Sequence, residues 1–161
     1  MPLRWKIFKV ICIIQLMAAA FNELDILFSF FRGASWGGLI GLFVFLAVLL
    51  LCILGLNLLS QNYPDEPVEG RQKKNYNRLF LINFLFLAAL FGYVIAEFRS
   101  LSQLASLGSR HLLQLPFSVY LMMIMHLAML FMQLYVLYGL YRLRIELHEN
   151  FMRRKFEFEQ G

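Results

Sequence analysis

The sequence has little charge, little cysteine and little histidine. Of its 161 residues, 16% are Asp, Glu, Lys or Arg, two are Cys and three are His. Hydrophobic residues make up 60% of the chain, and the mean hydropathy is +0.65. This composition excludes a disordered protein and argues against an ordinary soluble enzyme. It predicts an integral membrane protein.

The charge that is present is mostly basic. Fifteen Lys and Arg residues against ten Asp and Glu give a net charge of +5. In a soluble chain this excess would suggest binding to nucleic acid, but here the basic residues stand at the ends of apolar stretches. We therefore expect them to flank membrane spans, and we predict no nucleic-acid partner.

Residues with reactive side chains are widely separated. Cys12 and Cys52 form no Cys-x-x-Cys motif, which argues against a thiol redox relay and favours two buried, small apolar residues. His111, His126 and His148 are too dispersed to supply paired haem ligands. Phosphate-binding loops, nucleophile elbows and zinc-protease motifs are missing from the sequence. We predict a non-enzymatic protein with no catalytic residues, no metal and no cofactor.

Three long stretches contain no Asp, Glu, Lys or Arg. They lie between Arg32 and Asp65, between Arg78 and Glu97, and between Arg110 and Arg142. A bilayer core of about 30 Å needs about 20 apolar helical residues, so each stretch holds one span. A shorter apolar segment near the N-terminus adds a fourth. The predicted spans are residues 5–25, 39–59, 79–98 and 117–141.

The first of these segments has a second interpretation. The segment resembles a signal peptide in its basic start, its short apolar centre and the alanines that end at Ala20. Removal of such a peptide would leave three spans and an external N-terminus. We favour a retained helix, because Lys9 interrupts the apolar run and the polar residues at 22–25 are followed directly by apolar sequence at 26–31.

The distribution of Lys and Arg predicts the orientation. With four spans, all of them except Arg32, Arg99 and Arg110 fall on one side of the membrane. Because the cytoplasmic side carries the excess of Lys and Arg, both termini are predicted to be cytoplasmic, in a plasma or inner membrane. The fold class is thus all-α: a polytopic membrane protein with a four-helix transmembrane bundle, forming one domain over residues 1–161.

The segments outside the spans are short. Residues 61–77 are predicted to be a polar inner connector with turns, and residues 97–116 an outer connection with a helix lying in the interface. Residues 142–161 have an apolar stripe and are predicted to form a cytoplasmic amphipathic helix. Its basic patch, Arg153, Arg154 and Lys155, either is simply solvated or docks a partner or anionic lipid.

Several ionisable residues are predicted at a similar height near the outer surface. They are Glu23, Asp25, Glu97 and His126. Ionisable groups within a membrane usually face the bundle interior or a wet cavity, so one interpretation is a polar cup that exchanges protons or holds a polar ligand. The other is that the carboxylates are interfacial, hydrated and paired with nearby arginines.

Two further sets of residues are predicted to act in helix packing. Each span has one amide in its inner half, Gln15, Asn57, Asn83 or Gln133, and amides at matched depths bond across helices. The other set is Gly33, Gly37 and Gly41, whose spacing of four places small residues on one helix face and allows a neighbouring helix to approach closely.

These features lead to two hypotheses about function. The first is a non-enzymatic subunit, scaffold or regulator that acts through helix contacts in the lipid bilayer, with a second copy or another membrane protein as its partner. The second is a small proton-coupled transporter or channel that uses His126 with Glu97 or Glu23.

Overall fold

Four long helices follow one another along the chain in the computed structural model. The structure describes residues 1–32, 36–68, 70–106 and 117–160. The helices are α1 (Leu3–Arg32), α2 (Trp36–Asn57, continued by a π-helical turn at Leu58–Asn62), α3 (Gly70–Ser106) and α4 (Phe117–Gln160). All four are long and apolar enough to cross a membrane. The prediction of four helical segments of spanning length is therefore confirmed.

The first helix continues beyond its predicted end near Asp25. It passes through the polar residues at 22–25 and ends at Arg32. Asn22 is accommodated without a break because its side-chain amide donates a hydrogen bond to the carbonyl of Ala18, 2.8 Å away in the preceding turn. A polar side chain that hydrogen-bonds to the backbone of its own helix can lie within that helix without ending it.

The third helix is longer than predicted at both ends. It begins at Gly70, whose φ of +55° is a left-handed conformation that glycine adopts without strain. The predicted connector of residues 61–77 is correspondingly shorter, because Arg, Gln and Lys after Gly70 are strong helix formers although they are not apolar. At the other end, residues 97–106 of the predicted outer connection continue α3 without a break to Ser106, and its residues 107–116 lie outside the described residues.

The last helix extends well past the predicted span. Its 44 residues correspond to about 66 Å at 1.5 Å per residue, roughly twice the thickness of a bilayer core. Leu143 and Leu147 on this extension are completely buried, whereas Phe151 further along is exposed. The apolar packing of the extension therefore covers about its first two turns.

The four helices form a closed ring. Each helix packs against the next in chain order, and α4 returns to pack against α1. α2 and α4 also contact each other, for example where Gly55 lies close to Leu140.

The hydrophobic core lies at one end of the ring, where α1 begins, α2 ends and α4 passes its midpoint. Phe8 is its central side chain, 1% exposed, and it is inserted between two glycines of neighbouring helices. A Cβ atom at Gly55 would lie 3.2 Å from Cζ of the Phe8 ring, and a Cβ at Gly139 would overlap the ring. The other large, fully buried side chains are Leu51, Leu58, Leu140, Leu143 and Leu147.

A polar contact fastens the same end. The Glu146 carboxylate accepts hydrogen bonds from Arg4 at 2.6 Å, from the indole N–H of Trp5 at 3.2 Å and from the Tyr63 hydroxyl at 3.3 Å. Burial, together with the negative charge of Glu146, raises the pKa of Tyr63, so this hydroxyl keeps its proton and remains a donor. The start of α1, the α2–α3 connector and the extension of α4 therefore meet at one place.

We expect Gly139→Ala to destabilise the protein by about 1–3 kcal/mol, because the added methyl group overlaps the Phe8 ring in a packed core. The control is Gly92→Ala on α3, where a Cβ has no neighbour within 4 Å. That change should be neutral, or stabilise by up to about 1 kcal/mol through helix propensity. Denaturation in mixed detergent micelles measures both, and equal effects would contradict the packing described.

Candidate functional site

Side-chain amides from three helices and two groups of the fourth form a chain of hydrogen bonds that closes through the backbone of α2, here named the amide ring. Gln15 of α1 donates to Gln133 of α4, which donates to Asn83 of α3 at 2.7 Å. Asn83 donates to the backbone carbonyl of Ala47 in α2 at 3.0 Å. The Cys52 thiol of α2 lies 3.9 Å from the oxygen of Gln15 and donates to it. The α2 backbone between Ala47 and Cys52 completes the ring.

The amide ring is shielded from solvent. Asn83 is completely buried, Gln133 is 4% exposed and Gln15 is 7% exposed. Asn83 uses its second amide hydrogen within its own helix, on the carbonyl of Leu79 at 2.9 Å. Buried amides without partners are costly in apolar surroundings, so these bonds favour one relative rotation of the four helices.

Asn57, the fourth amide expected at this depth, does not join the ring. It is exposed at the end of α2, and its backbone carbonyl accepts a hydrogen bond from the Ser60 hydroxyl at 3.1 Å. The acceptor from α2 is instead the Ala47 carbonyl, ten residues earlier in the chain.

A cavity of about 520 Å³ lies on the side of the amide ring away from the hydrophobic core. All four helices contribute to its walls, which are mainly aliphatic, aromatic and methionine side chains. The polar residues that line it are Gln15, Asn22, His126 and Gln133. The apolar ones are Ala18, Ala19, Val44, Phe45, Val48, Phe86, Leu87, Leu90, Leu121, Met125, Met129 and Met132.

The residues predicted to form an outer polar cluster differ in their positions. His126 lines the cavity. Glu23 does not line it; it is half-buried, and within the described part of the chain its Oε1 atom has no hydrogen-bond partner. The side chains of Asp25 and Glu97 lie outside the described residues. Of the predicted four, the structure thus places the imidazole of His126 at the cavity.

The predicted glycine stripe is described only in part. Gly33 lies outside the described residues, and Gly37 and Gly41 belong to α2 without a description of their surroundings. The close approaches that the structure does show are at Gly55 and Gly139, which sequence analysis did not select. Single glycines within apolar helices have no spacing pattern to distinguish them.

The predicted basic patch is partly paired within the chain. Arg154 forms an ion pair with Asp65 of the α2–α3 connector, and the ammonium group of Lys155 lies 3.9 Å from Glu159, one turn later on the same helix. Arg153 is exposed. Nearby, Asn150 donates to the carbonyl of Pro64 at 2.8 Å, so this part of α4 contacts the connector directly.

Some residues that line the cavity or bond in the amide ring were not predicted from the sequence. Met125, Met129 and Met132 line the cavity together. Their spacing of four and three is a helical repeat that places them on one face, and this pattern was available as a signal. The participation of Cys52 and of the Ala47 carbonyl carries no comparable signal in the sequence.

The chemistry available at the site is hydrogen bonding and apolar contact. The described residues include no group of three or more His, Cys, Asp or Glu side chains placed to hold a metal ion. The arrangement can therefore hold helices together through the amide ring and can enclose an apolar molecule in the cavity.

No family model, curated protein or solved structure matches this chain.

A double-mutant cycle tests the amide ring. Gln15→Leu and Gln133→Leu should each lower the free energy of unfolding by about 1 kcal/mol, because each breaks a bond between helices. The double variant should lose less than the sum, since both single changes remove the same Gln15–Gln133 bond. Asn57→Leu, an exposed amide outside the ring, should change stability by less than about 0.5 kcal/mol. Additive losses would show that the two glutamines do not interact.

Proposed function

We propose that this chain is an integral membrane protein whose four helices cross the bilayer as one bundle. It acts without catalysis, as a subunit, scaffold or regulator of a membrane assembly. The amide ring is the observation that carries the proposal, because it joins all four apolar helices through bonds that they make to one another. Among the described side chains, the buried polar groups serve mainly helix association.

The outward surface of the helices supports the same proposal. Every helix has large apolar side chains that are exposed on the outside of the four-helix arrangement. Examples are Phe21 on α1, Phe43 on α2, Leu85 on α3 and Phe131 on α4. A surface of this kind is costly in water and suits lipid chains or the helices of another membrane protein. A second copy of the chain and a different membrane protein are both partners of this chemistry.

The orientation is part of the proposal: both termini are cytoplasmic, and the membrane is a plasma or inner membrane. The contacts of Glu146 and the Arg154–Asp65 pair group the N-terminus, the α2–α3 connector and the α4 extension at one end. These segments also hold most of the Lys and Arg residues, which accumulate on the cytoplasmic side. The first helix is retained in this proposal, because Trp5, Phe8 and Cys12 belong to the core.

Packing at the inner end favours a contact or binding role over transport. A proton or solute pathway needs polar groups that continue across the membrane. Next to the amide ring, on the side away from the cavity, Phe8, Leu51 and Leu140 are completely or almost completely buried. His126 therefore faces a cavity whose floor is the amide ring, and a packed apolar core lies behind that floor.

The proposed topology predicts which added cysteines a membrane-impermeant maleimide can reach in intact cells. Leu3→Cys and Glu157→Cys should be protected until the cells are opened, whereas Ser102→Cys should be labelled from outside. All three positions are exposed, and Cys12 and Cys52 are completely buried, so background labelling should be low. External labelling of Glu157→Cys would refute the proposed orientation. Cleavage of the N-terminal segment that carries Leu3→Cys from the protein would refute the retained first helix.

The proposed role predicts association in the membrane. Crosslinking in intact membranes followed by purification in a mild detergent should give a species heavier than one chain of 18.9 kDa, composed of copies of this chain or of this chain with another membrane protein in fixed ratio. Membranes from the same preparation that were not crosslinked, dissociated in SDS, serve as the control. A monomer under both conditions would contradict the proposal.

A further inference from the structure

The cavity has the dimensions of a small-molecule site. Its volume of about 520 Å³ lies within the range of about 300 to 1,000 Å³ typical of ligand pockets, which are mostly apolar with a few well-placed polar groups. Phe45 and Phe86 contribute aromatic surface from two helices, and Met125, Met129 and Met132 contribute flexible, polarisable side chains from a third.

The amide ring gives this cavity a floor that donates hydrogen bonds. A primary amide nitrogen carries two hydrogens. The described contacts use one of these on Gln15, toward Gln133, and one on Gln133, toward Asn83. Both glutamines line the cavity, and the oxygens of both already accept a hydrogen bond. Each glutamine therefore keeps one N–H without a described partner. Because an unpaired buried N–H is tolerated less than a carbonyl oxygen that uses one of its two lone pairs, the floor favours a ligand with an acceptor oxygen.

The charges around the cavity restrict its occupant further. The described residues that line it include no Asp, Glu, Lys or Arg. His126 is the one ionisable side chain among these described residues. An ionised ligand would lose its hydration with no carboxylate, ammonium or guanidinium group to pair with, so a neutral molecule fits better. A plain hydrocarbon chain would contact the apolar walls, but it would leave the amide hydrogens of the floor without a partner.

We propose that the cavity binds a neutral, membrane-soluble molecule with an apolar body and a carbonyl oxygen at one end, the chemistry of a quinone, with the carbonyl accepting hydrogen bonds from Gln15 and Gln133. This inference goes beyond the proposed function, because it needs only the amide ring and the cavity and does not depend on a partner.

A binding experiment on the full chain in lipid nanodiscs tests the chemistry of the occupant. The probe is radiolabelled decylubiquinone, a benzoquinone with a ten-carbon chain, displaced by unlabelled decylubiquinone, by decylbenzene or by decanoic acid. We expect decylbenzene, which lacks the carbonyls, and the ionised acid each to compete at least about tenfold more weakly than the quinone, as expected for lost hydrogen bonds or an unpaired charge. Equal competition by decylbenzene, or no saturable binding of the probe, would overturn the proposal.

A matched pair of variants on α2 tests the location. Val48 lines the cavity, so Val48→Phe should fill part of it and reduce binding of decylubiquinone at least about tenfold. Leu50 is exposed on the outside of the same helix, so Leu50→Phe should leave binding unchanged. A folded Val48→Phe protein that binds normally would overturn the proposal. If this variant does not fold, the displacement series on the unaltered chain decides the question, whatever the outcome of the association experiment.

Discussion

The amide ring is the constraint on which the rest of the structure depends. Apolar helices in a hydrocarbon environment gain little from hydrophobic burial against one another, so specific packing and hydrogen bonds must select their arrangement. Here Gln15, Asn83 and Gln133 meet one another and the backbone of α2. Rotating any one helix would leave at least one buried amide without a partner, and the ring therefore favours one set of helix faces turned inward.

The two sides of the amide ring are built differently. On one side, Phe8 occupies the space that Gly55 and Gly139 leave open, and the core is closed. The Glu146 contacts fasten this end from three separate parts of the chain. On the other side the helices enclose a cavity with mostly apolar walls. A packed core on one side of the amide ring and a cavity on the other support the proposed role in binding or association over conduction.

Asn57 and the other three amides show how far the predicted depth of a residue within a span can predict its contacts. Counting residues from the span ends placed all four amides at a similar height, and three of them do meet. Asn57 does not, because it lies ten residues, about 15 Å along the helix axis, from the Ala47 carbonyl that joins the ring. Its direction around the helix axis, which height does not describe, also differs. It lies five residues after Cys52, which is about 140° around the helix, and its side chain therefore faces a different direction from the thiol that joins the ring.

Local properties of the chain were sufficient to predict four helices of spanning length, since hydropathy and helical periodicity act over neighbouring residues. The ends of the helices were less predictable, because helix formers such as the basic residues after Gly70 continue a helix without being apolar. Contacts between distant segments lay beyond such reasoning. The insertion of Phe8 against Gly139, the Ala47 carbonyl as an acceptor and the cavity at His126 exist only once the helices have taken their relative rotations, which depend on packing among all four helices together.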